Sequence, residues 1–360
     1  MRQMFVLVPT NLPGIQTRAR LLSVCHMTQM ETTWDTLDWS VLERLRDGFL
    51  AGTGEAGAYW QTRADLANYD LTFAQRIAWK WDAVLAELKL RGWTPPAGEV
   101  LDWGCGSGVA GRCVLREFGV EKFAALRVFD RSALAMEFAA ARAKAAFPTV
   151  AVDSGVPDTG RIGLLLLSHV LNELSEAARA SLLALAGRAD AVLWVEPGTH
   201  ADSRELIAMR ERLRAEFEVV APCTHQAACG LLTAGNERHW CHNFAEPPPG
   251  LMADRNWVRF GQRMGIDLRS LPYSFLVLER RGLRAAEEKF SGWARVVGAP
   301  RVYKGFTKIL ACQADGVRDL TLQKRDAPAV FKRLRDEENV LLVKGTVVGE
   351  RVEAVGATLP

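Results

Sequence analysis

The sequence predicts an α/β protein built on a doubly wound parallel sheet, and three observations carry that prediction. An apolar run ends in Leu101-Asp102, is followed by Gly104, Gly106 and Gly108, and leads into an apolar, Arg-containing segment. That pattern is strand, tight turn, helix. Further short apolar runs at 125–129, 149–152, 162–167 and 191–195 alternate with longer segments of helical character. Alternation of this kind is the mark of βαβ units around a parallel sheet. Beyond Val220 the character changes to a stretch rich in cysteine and histidine, and then to a basic, strand-patterned tail. The predicted organisation is therefore an N-terminal helical region over 1–96 and a sheet domain over 97–281 that carries a cysteine-rich insertion at 221–250. A basic, β-rich region follows over 282–360.

Composition bounds the function. A chain of 360 residues with 49% hydrophobic and 24% charged content is long enough to bury a large core. No apolar run approaches the roughly 18 residues a membrane span needs, so no membrane partner is expected. Seven unevenly spaced cysteines do not make a disulfide framework. The expected setting is the cytoplasm of a bacterium, or the mitochondrion in a eukaryote, and the expected state is a monomer. Net charge is only +3, but residues 280–344 hold fifteen Lys/Arg against eight Asp/Glu. A basic excess on one region favours an acidic partner such as RNA, although a solvated basic face gives the same count. Residues 1–30 carry Arg2, Arg18 and Arg20 and no acid, as in a transit peptide; Met27 or Met30 is an alternative start.

Along the chain, Trp34 to Phe49 has a helical apolar period, and Gly48 to Gly57 reads as a loop. Thr72 is placed to cap a helix over Phe73–Leu90, with Ile77, Val84 and Leu88 on one face and Trp79 and Trp81 as packing residues. The sheet then begins at Val100. Its second strand is Ala125–Phe129, followed by a helix over Ser132–Phe147 and a third strand over Thr149–Val152. Ile162–Leu167 is apolar throughout, as suits the centre of a parallel sheet. Ala191–Val195 is the fifth strand, and Ser203–Phe217 a further helix.

The glycine turn points to a nucleotide-like cofactor. Glycine lets the backbone take positive φ and approach a ligand with no Cβ in the way, and the following helix N-terminus offers free N–H groups. Gly106-Ser-Gly-Val-Ala-Gly111 fits a dinucleotide fingerprint, with Asp130 some twenty residues on. Asp102, two residues before Gly104, makes the string D-x-G-x-G-x-G. That pattern resembles the class I S-adenosylmethionine (SAM) methyltransferases, whose Rossmann-like sheet is the expected fold. NAD and a purely structural turn are the alternatives. In the SAM reading, Asp102, Gly104, Gly106 and Gly108 hold the methionine part. Asp130 takes the ribose hydroxyls, or serves as a helix cap, and Asp153 reaches the adenine amino group. Ser168 closes the fourth strand at the carboxyl edge, where ligands of such sheets sit. His169 and Glu173 follow as candidate general bases or substrate contacts. Neither the N/D-P-P-Y/F motif of amino-group methylation nor the cysteine pair of base C5 methylation is present.

Cys223, Cys229 and Cys241 fall within twenty residues of His225, His239 and His242. Thiolates in such a cluster suit zinc or an iron–sulfur cluster. The spacing C-x5-C-x11-C is neither a zinc ribbon nor a common ferredoxin run, so it supports a metal without choosing one. By spacing alone the fourth ligand is Cys312 or one of the three histidines. Cys105 and Cys113 are expected to be packing residues.

The glycine loop occurs together with Ser168-His-Val-Leu-Asn-Glu-Leu174, Leu193-Trp-Val-Glu-Pro-Gly-Thr199 and Pro222-Cys223. It also occurs with Trp240-Cys-His-Asn-Phe244, the strand Tyr273–Glu279 and Lys304-Gly305 separated by six residues from Cys312. Over residues 70–340 this combination resembles the mitochondrial and bacterial small-ribosomal-subunit methyltransferase-like assembly factors. The resemblance implies bound SAM and a 4Fe–4S cluster held by Cys223, Cys229, Cys241 and Cys312. It also implies association with the small ribosomal subunit and its rRNA. It does not by itself imply methyl transfer.

Residues 301–325 alternate around Asp315-Gly316 as a hairpin, and Asn339–Val348 adds a strand. Lys304, Lys308, Arg318, Lys324 and Arg325 decorate the hairpin and are the candidate RNA contacts. The leading expectation is a SAM-dependent rRNA methyltransferase. A non-catalytic SAM-binding assembly factor, and a small-molecule or protein methyltransferase with a structural zinc, are the alternatives.

Overall fold

The computed structural model of the protein describes residues 32–51, 59–284, 289–335 and 342–359. The readings made on residues 1–30, and most of the glycine-rich stretch near residue 55, lie outside these residues. Three helices open the described chain: α1 (Trp39–Ala51), α2 (Arg63–Leu71) and α3 (Phe73–Leu90). The sheet region follows as β1 (Gly98–Trp103), α4 (Val109–Phe118), β2 (Phe123–Phe129), α5 (Ala133–Ala146), β3 (Val152–Ser154), β4 (Ile162–Ser168), α6 (Glu176–Ala186), β5 (Ala189–Pro197), α7 (His200–Leu213) and β6 (Phe217–Ala221). After the cysteine segment come β7 (Asn243–Ala245), α8 (Arg255–Met264) and β8 (Leu271–Arg280). The tail is β9 (Ala294–Val302), β10 (Phe306–Gln313), β11 (Gly316–Gln323), α9 (Pro328–Arg335), β12 (Leu342–Val348) and β13 (Arg351–Leu359).

The strand order is β3-β2-β1-β4-β5-β8-β6, with β7 also paired to β8. β3, β2, β1, β4 and β5 pair in parallel, and β8 runs antiparallel to its neighbours β5, β6 and β7. This is the α/β fold expected, a largely parallel sheet with one reversed strand near its edge. Successive side chains of a strand face opposite sides. Val100, Leu164 and Leu166 accordingly pack with α3 and α4 residues such as Leu88 and Val114, while Leu101, Leu165 and Leu167 pack with Leu182, Leu206 and Met209 of α6 and α7.

Several boundaries differ from expectation for identifiable reasons. The first helix starts at Trp39 and runs on through Gly48, because Asp38 accepts from the backbone N–H groups of Ser40 and Val41 and sets its start there. α2 was not foreseen; Thr62 and Asp65 form a capping box at its start. Thr72 precedes α3 but caps nothing with its side chain, since its hydroxyl donates instead to the Asn68 carbonyl of α2 at 2.7 Å. The third strand begins at Val152, not Thr149, so Asp153 lies within it. The helix expected over Ser203–Phe217 is α7, displaced upstream by its Thr199 cap; Phe217 already belongs to β6.

The tail closes into a barrel in the order β10-β11-β13-β12-β9. β11 and β13 pair in parallel, the other neighbours are antiparallel, and α9 lies between β11 and β12 in the chain. Ile309, Leu320, Leu322 and Val352 fill the barrel with Phe331 and Leu334 of α9. The foreseen hairpin is β10–β11, closed at Gln313 and Gly316. Among the described residues no helix is long and apolar enough to cross a membrane.

Candidate functional site

The glycine turn sits at the carboxyl end of β1. Gly104, Gly106 and Gly108 have φ of +72°, +51° and +77°. A Cβ on Gly104 would come within 2.7 Å of Val170, and one on Gly108 within 2.8 Å of Ala139, so both positions exclude larger residues twice over. Asp102 is buried, and its Oδ2 accepts from the Gly111 N–H at 2.9 Å. Its Oδ1 is also buried and has no protein partner. Burial raises the Asp102 carboxyl to about 7. Asp130 accepts from the Gly106 N–H at 3.0 Å and the Ser132 N–H at 2.9 Å, which fixes the turn against the end of β2. Asp130 is not the helix cap; Ser132 caps α5 through the Ala135 N–H. Asp153 is exposed on β3 and pairs with Arg127 at 3.5 Å.

The N-terminal helices cover this edge. A Trp60 ring atom lies 3.8 Å from where a Gly106 Cβ would stand. Asp70 of α2 binds Arg112 of α4 and Arg142 of α5, and Arg112 also donates to the Ser107 carbonyl. The helices and the turn therefore form one charged, hydrogen-bonded assembly.

At the end of β4 the Ser168 hydroxyl accepts from the Trp81 indole at 3.0 Å. His169 has φ +56°, a left-handed conformation that costs a β-carbon-bearing residue free energy and tends to occur at functional sites. Its Nε2 lies 3.2 Å from Lys80 Nζ. Burial holds the imidazole well below its ordinary value, with Lys80 and Arg76 pushing the same way. Burial also brings Lys80 down to about 7. The next backbone N–H groups, of Val170 and Leu171, donate to Glu196 Oε1, as does the Trp194 indole at 2.6 Å. Glu196 is wholly buried, and burial raises it to about 8. Burial raises Glu173 to about 7; Tyr59 lies nearby, its hydroxyl buried without a hydrogen-bond partner. Sequence reading missed Lys80, Tyr59 and Glu196. The signal for Lys80 was present: it lies three positions from Ile77 and four from Val84, on the apolar stripe of α3.

A second site lies between the sheet and the barrel. Cys223, Cys229, Cys241 and Cys312 all line one pocket, with Arg210, Arg295, Leu231 and Phe275 among its other walls. Burial pushes Cys229 up to about 11 and Cys241 up to about 12, and Cys312 higher still. His225 reaches Cys312 Sγ at 3.6 Å, while the His242 ring stacks on Trp240. Among the described residues, no group of three or more His, Cys, Asp or Glu is arranged to hold a metal ion. Cys105 and Cys113 are core residues, buried at 6% and 1% exposure.

The pocket is braced by buried charge. Glu87 of α3 accepts from Arg91 at 2.7 Å and Arg295 at 2.5 Å, all three side chains being 2% exposed. Arg91 donates onward to the carbonyls of Val220, Pro222 and Cys223, and Arg295 to Asn243. Helix, cysteine segment and first barrel strand thus share one network.

The candidate RNA contacts are dispersed over the barrel. Lys304 stands in the β9–β10 turn, Lys308 on β10, Arg318 on β11, and Lys324 and Arg325 just after β11. Arg318 is engaged with Gln313 and Asp315.

A family model described as mitochondrial small ribosomal subunit Rsm22 matches residues 82–339. No curated protein matches by sequence. The plantazolicin methyltransferase BpumL, solved with S-adenosylhomocysteine, is 13% identical over 67% of this chain and 100% of its own, with a TM-score of 0.37. Magnesium protoporphyrin IX methyltransferase from Synechocystis PCC 6803, solved with SAM, is 15% identical over 68% of this chain and 98% of its own, at 0.36. A SAM-dependent methyltransferase from Thiobacillus denitrificans, solved with S-adenosylhomocysteine, is 17% identical over 56% and 91%, at 0.32. Overlaps this loose add nothing to the strand order given above.

Proposed function

The chain belongs to the Rsm22 family, and from that premise we propose that it is a SAM-binding, methyltransferase-like protein of the small ribosomal subunit that acts on or beside its rRNA. The observation that carries the SAM reading is the turn after β1. Three glycines with left-handed backbone stand beside a buried Asp102 whose Oδ1 lacks a protein partner. A buried acceptor left open in this way costs free energy unless a ligand donates to it. Asp102 and Gly104–Gly108 would hold the aminoacyl part of SAM. Asp130 anchors the turn and keeps acceptor capacity for a ribose hydroxyl, and Asp153 and Ser168 flank the same edge.

Bound SAM supplies a methyl group already activated by its sulfonium, so the protein's task is alignment and exclusion of water. Glu173, raised to about 7 beside Tyr59, is suited to accept a proton near neutrality. His169 is suited to position a substrate group at the end of β4. The second reading, a non-catalytic assembly factor, is favoured by one observation. His169 and Ser168 are already occupied by Lys80 and Trp81, which makes the strand end self-satisfied.

The cysteine pocket supports a second proposal, that Cys223, Cys229, Cys241 and Cys312 hold a 4Fe–4S cluster. Four cysteine thiols that line one pocket are the donor set such a cluster takes. Such a cluster would supply structural bracing or redox sensitivity. Arg210 and Arg295 would offset its thiolate charge.

The SAM proposal is tested by titrating SAM into the full chain and into Asp102→Asn, then offering labelled SAM with small-subunit rRNA. The expected result is one saturable site, weakened about ten-fold or more in the variant, in line with hydrogen bonds to charged groups. Label in the RNA selects the enzyme, and binding without transfer selects the assembly factor. No SAM binding by the native chain overturns the proposal.

A further inference from the structure

The barrel's strand order, the parallel β11–β13 pair and the helix between its third and fourth strands are those of the oligonucleotide-binding barrel. In such barrels the face of the second and third strands, with the adjoining loops, takes extended nucleic acid. Here that face is β10 and β11, and the loop entering it is Tyr303-Lys304-Gly305. Tyr303 and Phe306 stack with ring centroids 4.5 Å apart and 14° between planes. Tyr303 is 47% exposed, so one face of the stacked pair is open to solvent.

Charge and shape surround this pair. Register places Arg301, Lys308 and Thr321 side by side across β9, β10 and β11. Phe306 stands opposite Gln323, and Gln323 borders a groove with Gly305, Lys324, Arg325 and Pro328. Lys304, Lys308 and Lys324 have no ion-pair partner among the described residues. An open aromatic ring beside unpaired cations is the combination that binds single strands. The ring stacks on an unpaired base while the cations track the phosphates. Duplex RNA keeps its bases stacked internally and offers none to the ring.

We propose that the β10–β11 face is a single-stranded RNA site in which the Tyr303–Phe306 stack is the base platform and Lys304, Lys308 and Lys324 take the flanking phosphates. The proposal rests on the reading that the barrel meets rRNA, and it adds the form of RNA and the residues that read it. Cys312 lies on the same strand as Phe306, six positions on and about 20 Å away at strand rise. The cysteine pocket therefore braces one end of β10 and the platform stands at the other.

The test is fluorescence anisotropy with the full chain, using a labelled oligouridine of about ten nucleotides and a hairpin duplex of similar length, at several salt concentrations. The native chain is expected to prefer the single strand. Tyr303→Ala with Phe306→Ala should weaken that binding roughly ten-fold or more with an unchanged salt slope, and Tyr303→Phe should bind as the native chain does. Lys304→Ala with Lys324→Ala should weaken binding and flatten the salt slope. Circular dichroism on each variant separates a lost site from a lost fold. Aromatic variants that fold and bind oligouridine normally overturn the platform; if the lysine variants then still weaken binding, only the platform fails. If neither pair matters, the reading that the barrel meets RNA fails with it. A native chain that binds duplex as tightly as single strand also overturns the proposal.

Discussion

Glu196 shows what one residue can commit to in this molecule. Its Oε1 collects N–H donors from Val170, Leu171 and Trp194, while Oε2 is buried without a partner. Its folded-state pKa, about 8, stands above the ordinary 4.5 because burial disfavours the charge. The stability that protonation contributes is therefore full below about pH 4.5 and is lost as pH rises through about 8. Glu196→Gln, which keeps the acceptor and removes the ionisation, should show a smaller fall in thermal midpoint across that window, read by pH-dependent melting. An unchanged fall would mean the carboxyl is solvated as the chain folds. Lys80, depressed to about 7, acts in the opposite sense above neutrality. The pairing of Lys80 with His169 was not legible in the sequence, because the contact joins α3 to the end of β4 across 89 positions.

Elements were legible where a local rule dominates and obscure where a distant partner does. The glycine turn follows from local sterics, so Asp102 to Gly108 could be read directly. α3 was bounded correctly by its apolar period over Phe73–Leu90. Its polar exceptions carry the tertiary information: Lys80 and Glu87 sit on the buried stripe with Val84 and Leu88. Glu87 looks like an ordinary i,i+4 partner of Arg91 until the fold brings Arg295 to the same oxygen. Glu87→Ala would leave two buried guanidinium groups without their countercharge, a loss of about 3–5 kcal/mol. Urea unfolding should read that loss, and a change below about 1 kcal/mol would show that water compensates the arginines. The barrel was legible as strands and one hairpin, but not as a closed barrel, because the β9–β12 and β11–β13 pairings are non-local.

On the scale of the whole molecule, the cysteines join what the sequence could only place in order. At the pocket β8 belongs to the sheet, β9 and β10 belong to the barrel, and the segment from Cys223 to Cys241 lies between them with Gly230 packed against the Gly316 backbone. Cys312 comes from the barrel and the other three from the insertion, so anything bound by all four ties the two together. Spacing could not choose the fourth ligand among Cys312 and the histidines; in the folded chain Cys312 lines the same pocket as the other three, with His225 beside it and His242 stacked on Trp240. The central claim is that this chain joins a SAM-type sheet to an RNA-facing barrel through a cluster held by four cysteines. The most direct measurement is anaerobic purification of the native chain and Cys312→Ser, with iron, sulfide and zinc content and the visible spectrum read on both. The account predicts a brown native protein with close to four irons and four sulfides per chain, and loss of most of that iron and colour in the variant while SAM binding is retained. A colourless native protein carrying zinc or no metal, or a variant that keeps its full iron, would contradict it.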